Sequence, residues 1–393
     1  MRVLIDARML IGRFSGVARV VTGLVDELAS RRGIRVVALC GSESYGPWRN
    51  RPDIEMMTTG FDRVCRSPLR RVLWEATALS GIIRRAGVDL YHATWNHGVP
   101  AGCPVPTVLT IHDLIPWKVS VRGFRDYGAR AAYRHAMRAA ARRASVITTV
   151  SEFTRGRVLE TLGLPPGKVA TVPNGITLPP PGSAKGASAK SPYVLYVGGH
   201  EPRKNVAAVL RAMRCYWERF GGKVALHLTG RRGDLAAEAR HVYHHLHADA
   251  PVHFLGCLTD TALAEHYAKA RAFVFLSTDE GFGLPVLEAM AYGCPVVVAR
   301  RSALPELVAN AGLLVEPEDG EEAAGALRRV LLDSPVRSDL IHRGRDRASV
   351  FTREAFAANM LRTYEQALSG QPQVGAAIHP LRRESKVAAY DGR

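Results

Sequence analysis

The chain has 393 residues, 47% hydrophobic and 23% charged, with a formal net charge of +17. The length exceeds the roughly 150 residues of a single core and predicts two domains, the ordinary apolar share excludes a disordered chain, and no apolar run approaches the ~20 residues of a spanning helix. The charge is uneven: residues 1–178 hold 26 Lys and Arg against 13 Asp and Glu, and the remainder 27 against 23.

Such a bias predicts an acidic partner for the first half: a membrane surface, a phosphorylated lipid or nucleic acid. A GC-rich genome that favours Arg would give the same excess without a partner. Six scattered cysteines with no CxxC pair read as reduced thiols in a reducing compartment.

In chain order, MRVLIDA reads as a strand, and it lacks the long apolar core of a signal peptide, so a cytoplasmic location is expected. A helical pattern over 17–30 follows, then the strands IRVVALC, DLYHAT, TVLTIHD and SVITTVS, separated by helix-length segments. This is the rhythm of a parallel sheet covered on both faces. A second cycle runs through YVLYVGG, VALHLTG, VHFLGC, AFVFLS, PVVVA and GLLVEP. The fold class is therefore α/β, with two doubly wound, Rossmann-like domains whose strand ends face one another across a cleft. The expected boundaries are 1–177 for the first domain, 178–192 for a Pro/Gly/Ser/Ala-rich linker and 193–352 for the second domain. A C-terminal helix over 353–370 could pack on either domain, back on the first included, and a flexible tail would occupy 371–393.

The densest chemistry lies in DEGFGLPVLEAMAYGCPVVVA, residues 279–299. Pro285 suits a helix start and Gly293 its end, which predicts a short helix from Pro285 to Tyr292. Gly281 and Gly283 allow close backbone approach and positive φ. The free amides of the loop and helix start make an anion site. Glu288, one turn into the helix, could accept both hydroxyls of a ribose diol. Glu280 lies nearer the phosphate and its substituent. Phosphate, diol and polyol together describe a nucleotide sugar.

This stretch resembles the E-x7-E signature of retaining glycosyltransferases of family 4, which have the two-domain GT-B fold. YVGGHEPRKN (196–205), TVSEFTR (149–155), VPNGI (172–176), FLGC (254–257), LPELV (304–308) and FSGVARV (14–20) resemble that family's segments in their usual order, over roughly residues 1–370. IHDLIP (111–116) resembles the branch of bacterial O-antigen and exopolysaccharide mannosyltransferases. The resemblance implies a hexosyltransferase that takes its sugar from a nucleotide sugar, GDP-mannose before UDP-glucose. The acceptor would be a lipid-linked oligosaccharide or other glycan used in cell-surface polysaccharide synthesis. The alternative is a UDP-sugar-dependent enzyme with a small soluble acceptor.

On the same footing, Arg203 and Lys204 would neutralise the leaving diphosphate, and His112 would touch the donor sugar near the reacting carbon. With Glu280 these form the catalytic set. Gly16, Gly281, Phe282, Gly283, Leu284 and Glu288 form the donor-binding set. Some relatives carry a further arginine where Gly199 stands. The chain contains no Asp-x-Asp, so no metal or other cofactor is expected. His241 and His245 have the i, i+4 spacing of a zinc pair but no acid or cysteine beside them.

Two basic segments suggest an acceptor or membrane surface. Arg130, Arg134 and Arg138 repeat every four residues along one helix face. Residues 67–85 combine an apolar stripe (Leu69, Leu73, Ala76, Leu79, Ile83) with Arg70, Arg71 and Trp74, as an amphipathic helix at an anionic interface would. Peripheral attachment to the inner membrane face is expected. A dinucleotide-dependent oxidoreductase is discounted because the first loop lacks GxGxxG. Nucleic acid is discounted because stacking aromatics are not interleaved with the charge.

Overall fold

The computed structural model describes residues 1–8, 10, 16–41, 48–61, 68–118, 127–180, 191–221 and 224–370. Most of the expected linker, the tail after Gly370 and the start of the FSGVARV loop lie outside the described residues.

The first sheet contains β1 (Arg2–Asp6), β2 (Arg35–Cys40), β3 (Ile54–Thr58), β4 (Leu90–Ala93), β5 (Thr107–Ile111), β6 (Val146–Thr149) and β7 (Val169–Thr171). They run parallel in the order β3-β2-β1-β4-β5-β6-β7. The second sheet contains β8 (Ser191–Tyr196), β9 (Ala225–Leu228), β10 (Val252–Phe254), β11 (Ala270–Phe275), β12 (Val296–Ala299) and β13 (Leu313–Val315), parallel in the order β10-β9-β8-β11-β12-β13. Central strands such as β5 and β12 are buried at every residue and read as unbroken apolar runs, as a sheet covered on both faces requires. The edge strand β3 is half exposed and the three-residue β7 is short, which is why neither carries a clear periodic signal in the sequence.

Each sheet reverses its order of winding once: β1 lies beside β4, and β8 lies beside β11. Ligands of such sheets bind beyond the carboxyl ends of the strands at these reversals. The segments that follow β8 and β11 carry the two cations and the first glutamate of the predicted site.

Helix α1 (Gly16–Ala29) covers the first sheet. The segment 67–85 forms two helices, α2 (Pro68–Thr77) and α3 (Leu79–Ala86), rather than one. The stripe therefore divides. Leu79 and Ile83 are buried in the first domain's core, whereas Leu73 is 62% exposed. Further along come α4 (Ile115–Lys118), α5 (Tyr127–Arg143) and α6 (Glu152–Leu162). The second domain contains α7 (Val206–Phe220), α8 (Ala237–His244), α9 (Asp260–Lys269), α10 (Leu284–Ala291), α11 (Leu304–Val308), α12 (Gly320–Leu332) and α13 (Ser334–Ser349).

The last helix, α14 (Arg353–Ser369), returns to the first domain. Its Phe356, Ala357, Met360 and Tyr364 join Leu24, Val25 and Leu28 of α1 in one apolar cluster. The Tyr364 hydroxyl lies 2.7 Å from His92 Nδ1, inside the core. No helix among the described residues is long and apolar enough to cross a membrane.

Candidate functional site

The predicted helix of the E-x7-E stretch is α10, which spans Leu284–Ala291. Pro285 lies in its first turn, and Gly293 follows it with φ 66°. Gly283 precedes it at φ 114°, and a Cβ there would come within 2.9 Å of Leu304. Gly281 is needed for a different reason, since a Cβ on it would overlap the His112 carbonyl oxygen of the first domain. The Gly281 carbonyl accepts from Ser151 Oγ at 2.7 Å and lies 3.3 Å from Thr154 Oγ1. Glycine here lets the two domains touch at the mouth of the cleft.

Arg203 and Lys204 end a single 3-10 turn, Pro202–Lys204, just after β8. The turn closes on Asn205 in the left-handed conformation, and Asn205 caps α7 by accepting from the Ala208 amide. This fixes where both cations leave the backbone. Lys204 Nζ lies 2.6 Å from Glu280 Oε1, and Arg203 Nη1 lies 3.2 Å from the same oxygen. The Ser277 hydroxyl is 2.7 Å from that oxygen and 3.0 Å from the Arg203 carbonyl, either of which can take its one proton. The Glu280 amide donates to Ser302 Oγ at 3.0 Å, and Ser302 itself holds a left-handed φ of 54°. A non-glycine residue in that region stores strain, commonly beside functional groups. Burial would raise the Glu280 carboxyl, but Lys204 and Arg203 outweigh it and hold the group below the usual carboxylate range.

Glu288 sits on the same segment in a different setting. Its Oε2 accepts from the Tyr267 hydroxyl at 3.1 Å, and its Oε1 lies 2.7 Å from Arg19 Nη1 of α1. Burial pushes this carboxyl up, opposed by Arg19 and Tyr267. Arg19 and Tyr267 were not among the residues singled out from the sequence. Arg19 could have been found, because it lies three positions after Gly16 and so on the same side of α1.

His112 follows β5. Its amide donates to Asn96 Oδ1 at 3.1 Å, and its Nε2 lies 3.0 Å from the Thr94 carbonyl. That carbonyl can only accept, so the proton is on Nε2 and Nδ1 is the acceptor nitrogen. Burial brings the imidazole down to about 4, so it is neutral at pH 7. Asp113 beside it is pushed up by burial, and it feels Arg203, Glu280 and Asp279 across the cleft.

The other predicted residues divide. Gly16 opens α1, and a Cβ on it would meet Leu284 Cδ1 at 3.2 Å, so the two helix starts abut. Phe282 is buried against Phe351, edge to face at 5.9 Å, and contributes packing at that point. Arg70 is exposed at the start of α2. Trp74 and Arg71 turn inward. Trp74 packs edge to face on Phe61 at 5.2 Å, and Arg71 lies over the Phe61 and Trp95 rings. They border a buried ion cluster in which Arg8 pairs with Asp6 at 2.6 Å and Glu75 pairs with His97 at 2.7 Å. On α5, Arg134 and Arg138 lie 5.4 Å and 4.7 Å from the Trp117 ring, and Arg134 also donates to the Trp117 carbonyl. Arg130 is half-buried on the same helix. The arginine row is thus held partly by a tryptophan. His245, just past the end of α8, has its Nδ1 2.7 Å from the His241 carbonyl, so that ring nitrogen is taken up at the helix end. Among the described residues no group of three or more His, Cys, Asp or Glu is placed to hold a metal ion.

Residues 14–178 match the family model described as Glycosyltransferase Family 4, and residues 183–347 match the model described as Glycosyl transferases group 1. The chain belongs to glycosyltransferase family 4. This family-4 chain is 31% identical over 231 residues to O-antigen chain mannosyltransferase B of Escherichia coli, covering 56% of this chain and 61% of that one. It is 42% identical over 123 residues to the MMP alpha-(1->4)-mannosyltransferase of Mycolicibacterium hassiacum, covering 30% of each chain. The matches thus span 61% and 60% of the length of the first two O-antigen mannosyltransferases. Sucrose-phosphate synthase from Thermosynechococcus elongatus superposes with a TM-score of 0.73 at 21% identity, over 94% of this chain and all of that one. WaaG, a glycosyltransferase of lipopolysaccharide biosynthesis, gives 0.67 at 16% identity, over 92% and 99%. These likenesses establish the GT-B fold of the family-4 chain.

Proposed function

We propose that the protein transfers a hexose, mannose first, from a nucleotide sugar to a hydroxyl of a lipid-linked or polysaccharide acceptor, with retention at the anomeric carbon. The observation that carries this reading is the convergence of Arg203, Lys204 and Glu280 at the reversal of the second sheet, closed by Gly281 against the His112 backbone of the first. As the glycosidic bond of the donor breaks, negative charge grows on the departing diphosphate. Lys204 and Arg203 stand ready to receive it, and preorganised charge of this kind is a large catalytic term. Glu280 keeps both cations aimed while they wait. Neutral His112 offers Nδ1 to a hydroxyl of the donor sugar. Glu288 takes the ribose diol. Glu280 already carries two cations, so the glycosidase scheme of paired acid and nucleophile does not apply to these glutamates.

The mannosyltransferase names of several relatives support GDP-mannose as donor. A UDP-sugar is the second reading, favoured by structural neighbours described in complex with UDP-glucose, such as Anabaena HepE. With two side-chain cations at the diphosphate position, the transfer is expected to run without a metal. Peripheral membrane attachment would use the exposed Arg70 and Leu73 side of α2. The test is nucleotide release from GDP-mannose and UDP-glucose in the presence of membrane glycolipid extract, with and without a chelator. Release from neither donor, while one is bound, would overturn the transferase reading. Loss of release on chelation would overturn metal independence. Sedimentation with anionic vesicles at low salt tests attachment, and a protein that stays in solution would refute it.

A further inference from the structure

The contact between Arg19 and Glu288 crosses between the domains. Glu288 is 7% exposed and lies on α10 of the second domain, whereas Arg19 is the fourth residue of α1 in the first. The two helices meet in register. Gly16 lies against Leu284 at their starts, and one turn later Arg19 lies against Glu288. A methyl on Gly16 would ask the end of the Leu284 side chain to give by a few tenths of an ångström, so the two helix starts are in close contact.

The groups facing Glu288 show why the partner must come from outside. Within the second domain they are the Tyr267 hydroxyl, Tyr292 and Asp260. None is a cation, and Asp260 adds negative charge. A carboxylate buried this deeply needs a positive partner to remain ionised, and Arg19 is that partner at 2.7 Å. Arg19 Nε also lies 3.9 Å from Asp260, so one guanidinium spans both acids.

We propose that Arg19 is a positioning residue: reaching across the cleft, it fixes the Glu288 carboxylate in the orientation that receives the ribose diol of the nucleotide. The inference rests on the reading of Glu288 as the ribose-binding group. It adds that nucleoside recognition by the second domain depends on the first helix of the other domain. An ionised carboxylate has about four acceptor positions. Arg19 and Tyr267 take two, which leaves two for the ribose hydroxyls, so Arg19 need not leave when the nucleotide arrives. The coupling is reciprocal. If the ion pair improves nucleotide binding, bound nucleotide strengthens the contact between the domains.

The experiment is calorimetric titration of wild type, Arg19→Gln, Arg19→Lys and Glu288→Gln with whichever of GDP, UDP and ADP binds, and with its 2′,3′-dideoxy analogue, over about pH 5 to 8. Arg19→Gln should weaken binding of the ribonucleotide by about 10-fold. The loss should deepen as the pH falls, because without Arg19 the buried Glu288 carboxyl takes up a proton. Arg19→Lys keeps the charge and should lose less, and it carries the test if the glutamine variant does not fold. The dideoxy analogue should bind wild type and Arg19→Gln alike. Wild-type affinity in Arg19→Gln at every pH, or an equal loss for the dideoxy analogue, would overturn the proposal. If Glu288→Gln weakens binding and Arg19→Gln does not, only the role of Arg19 falls. If Glu288→Gln itself binds as wild type, the ribose reading falls, and this inference falls with it.

Discussion

Glu280 and Glu288 lie eight positions apart on one segment and are buried to nearly the same degree, 9% and 7% exposed, yet their surroundings act in opposite directions. Glu280 faces two cations from its own domain and is held below the usual carboxylate range. Glu288 faces one cation, supplied by the other domain, and burial wins. The first carboxylate is complete within one sheet and works as a fixed counterion. The second is complete only when the domains touch. Sequence spacing alone makes the two look alike; charge supply separates them.

The largest effect should come from the Glu280 side. Lys204→Ala should lower the rate of nucleotide release at saturating donor by about 100-fold, as loss of a preorganised charge at a leaving group does, with the fold intact by circular dichroism. Unchanged turnover would detach this cluster from the chemistry. On the other side, Glu288→Ala should weaken nucleotide affinity by about 10-fold or somewhat more, the low end of the roughly 1.5–3 kcal/mol of a hydrogen bond to a charged group, and alter saturated turnover less. Equal losses in binding and turnover from both variants would erase the distinction between the two glutamates.

Gly281→Ala probes the contact that joins them. Its new methyl would strike the His112 carbonyl, and relief by separation of the domains should cost about 1–3 kcal/mol, read as a lower unfolding temperature. Small-angle scattering should show a more open shape.

The smallest effect is in stability against pH. Glu280 titrates lower in the folded chain, so its contribution is present above the unfolded value of 4.5 and is lost as pH falls below it. Glu288 titrates higher, so its contribution is full below 4.5 and is lost as pH rises through the raised folded value. Thermal unfolding between about pH 3.5 and 7 should therefore show Glu280→Gln flattening the curve below 4.5 and Glu288→Gln flattening it above. The reverse assignment would refute the electrostatic contrast.

Much of the architecture was legible. Buried strands such as TVLTI and VVVA announce themselves because a sheet covered on both faces demands continuous apolar runs. Gly283 and Gly293 mark the ends of α10 because positive φ there favours glycine. Adjacent residues such as Arg203 and Lys204 could be placed because one short turn fixes both. The amphipathic helix over 67–85 was not legible as two helices, because the break between Thr77 and Leu79 carries no proline or glycine. Trp74 and Arg71 read as interfacial, whereas in the structure they pack against Phe61. A stripe of apolar and basic residues does not say which neighbour will cover it.

The sequence by itself determined the two sheets, the segment holding both glutamates and the adjacent pair of cations after β8, because propensity, turn chemistry and strand burial are local or periodic. Only the tertiary structure decided which cation reaches which acid, why Gly281 has no room for a side chain and where the last helix docks. Those depend on contacts between residues from 76 to 272 positions apart, which no local pattern encodes.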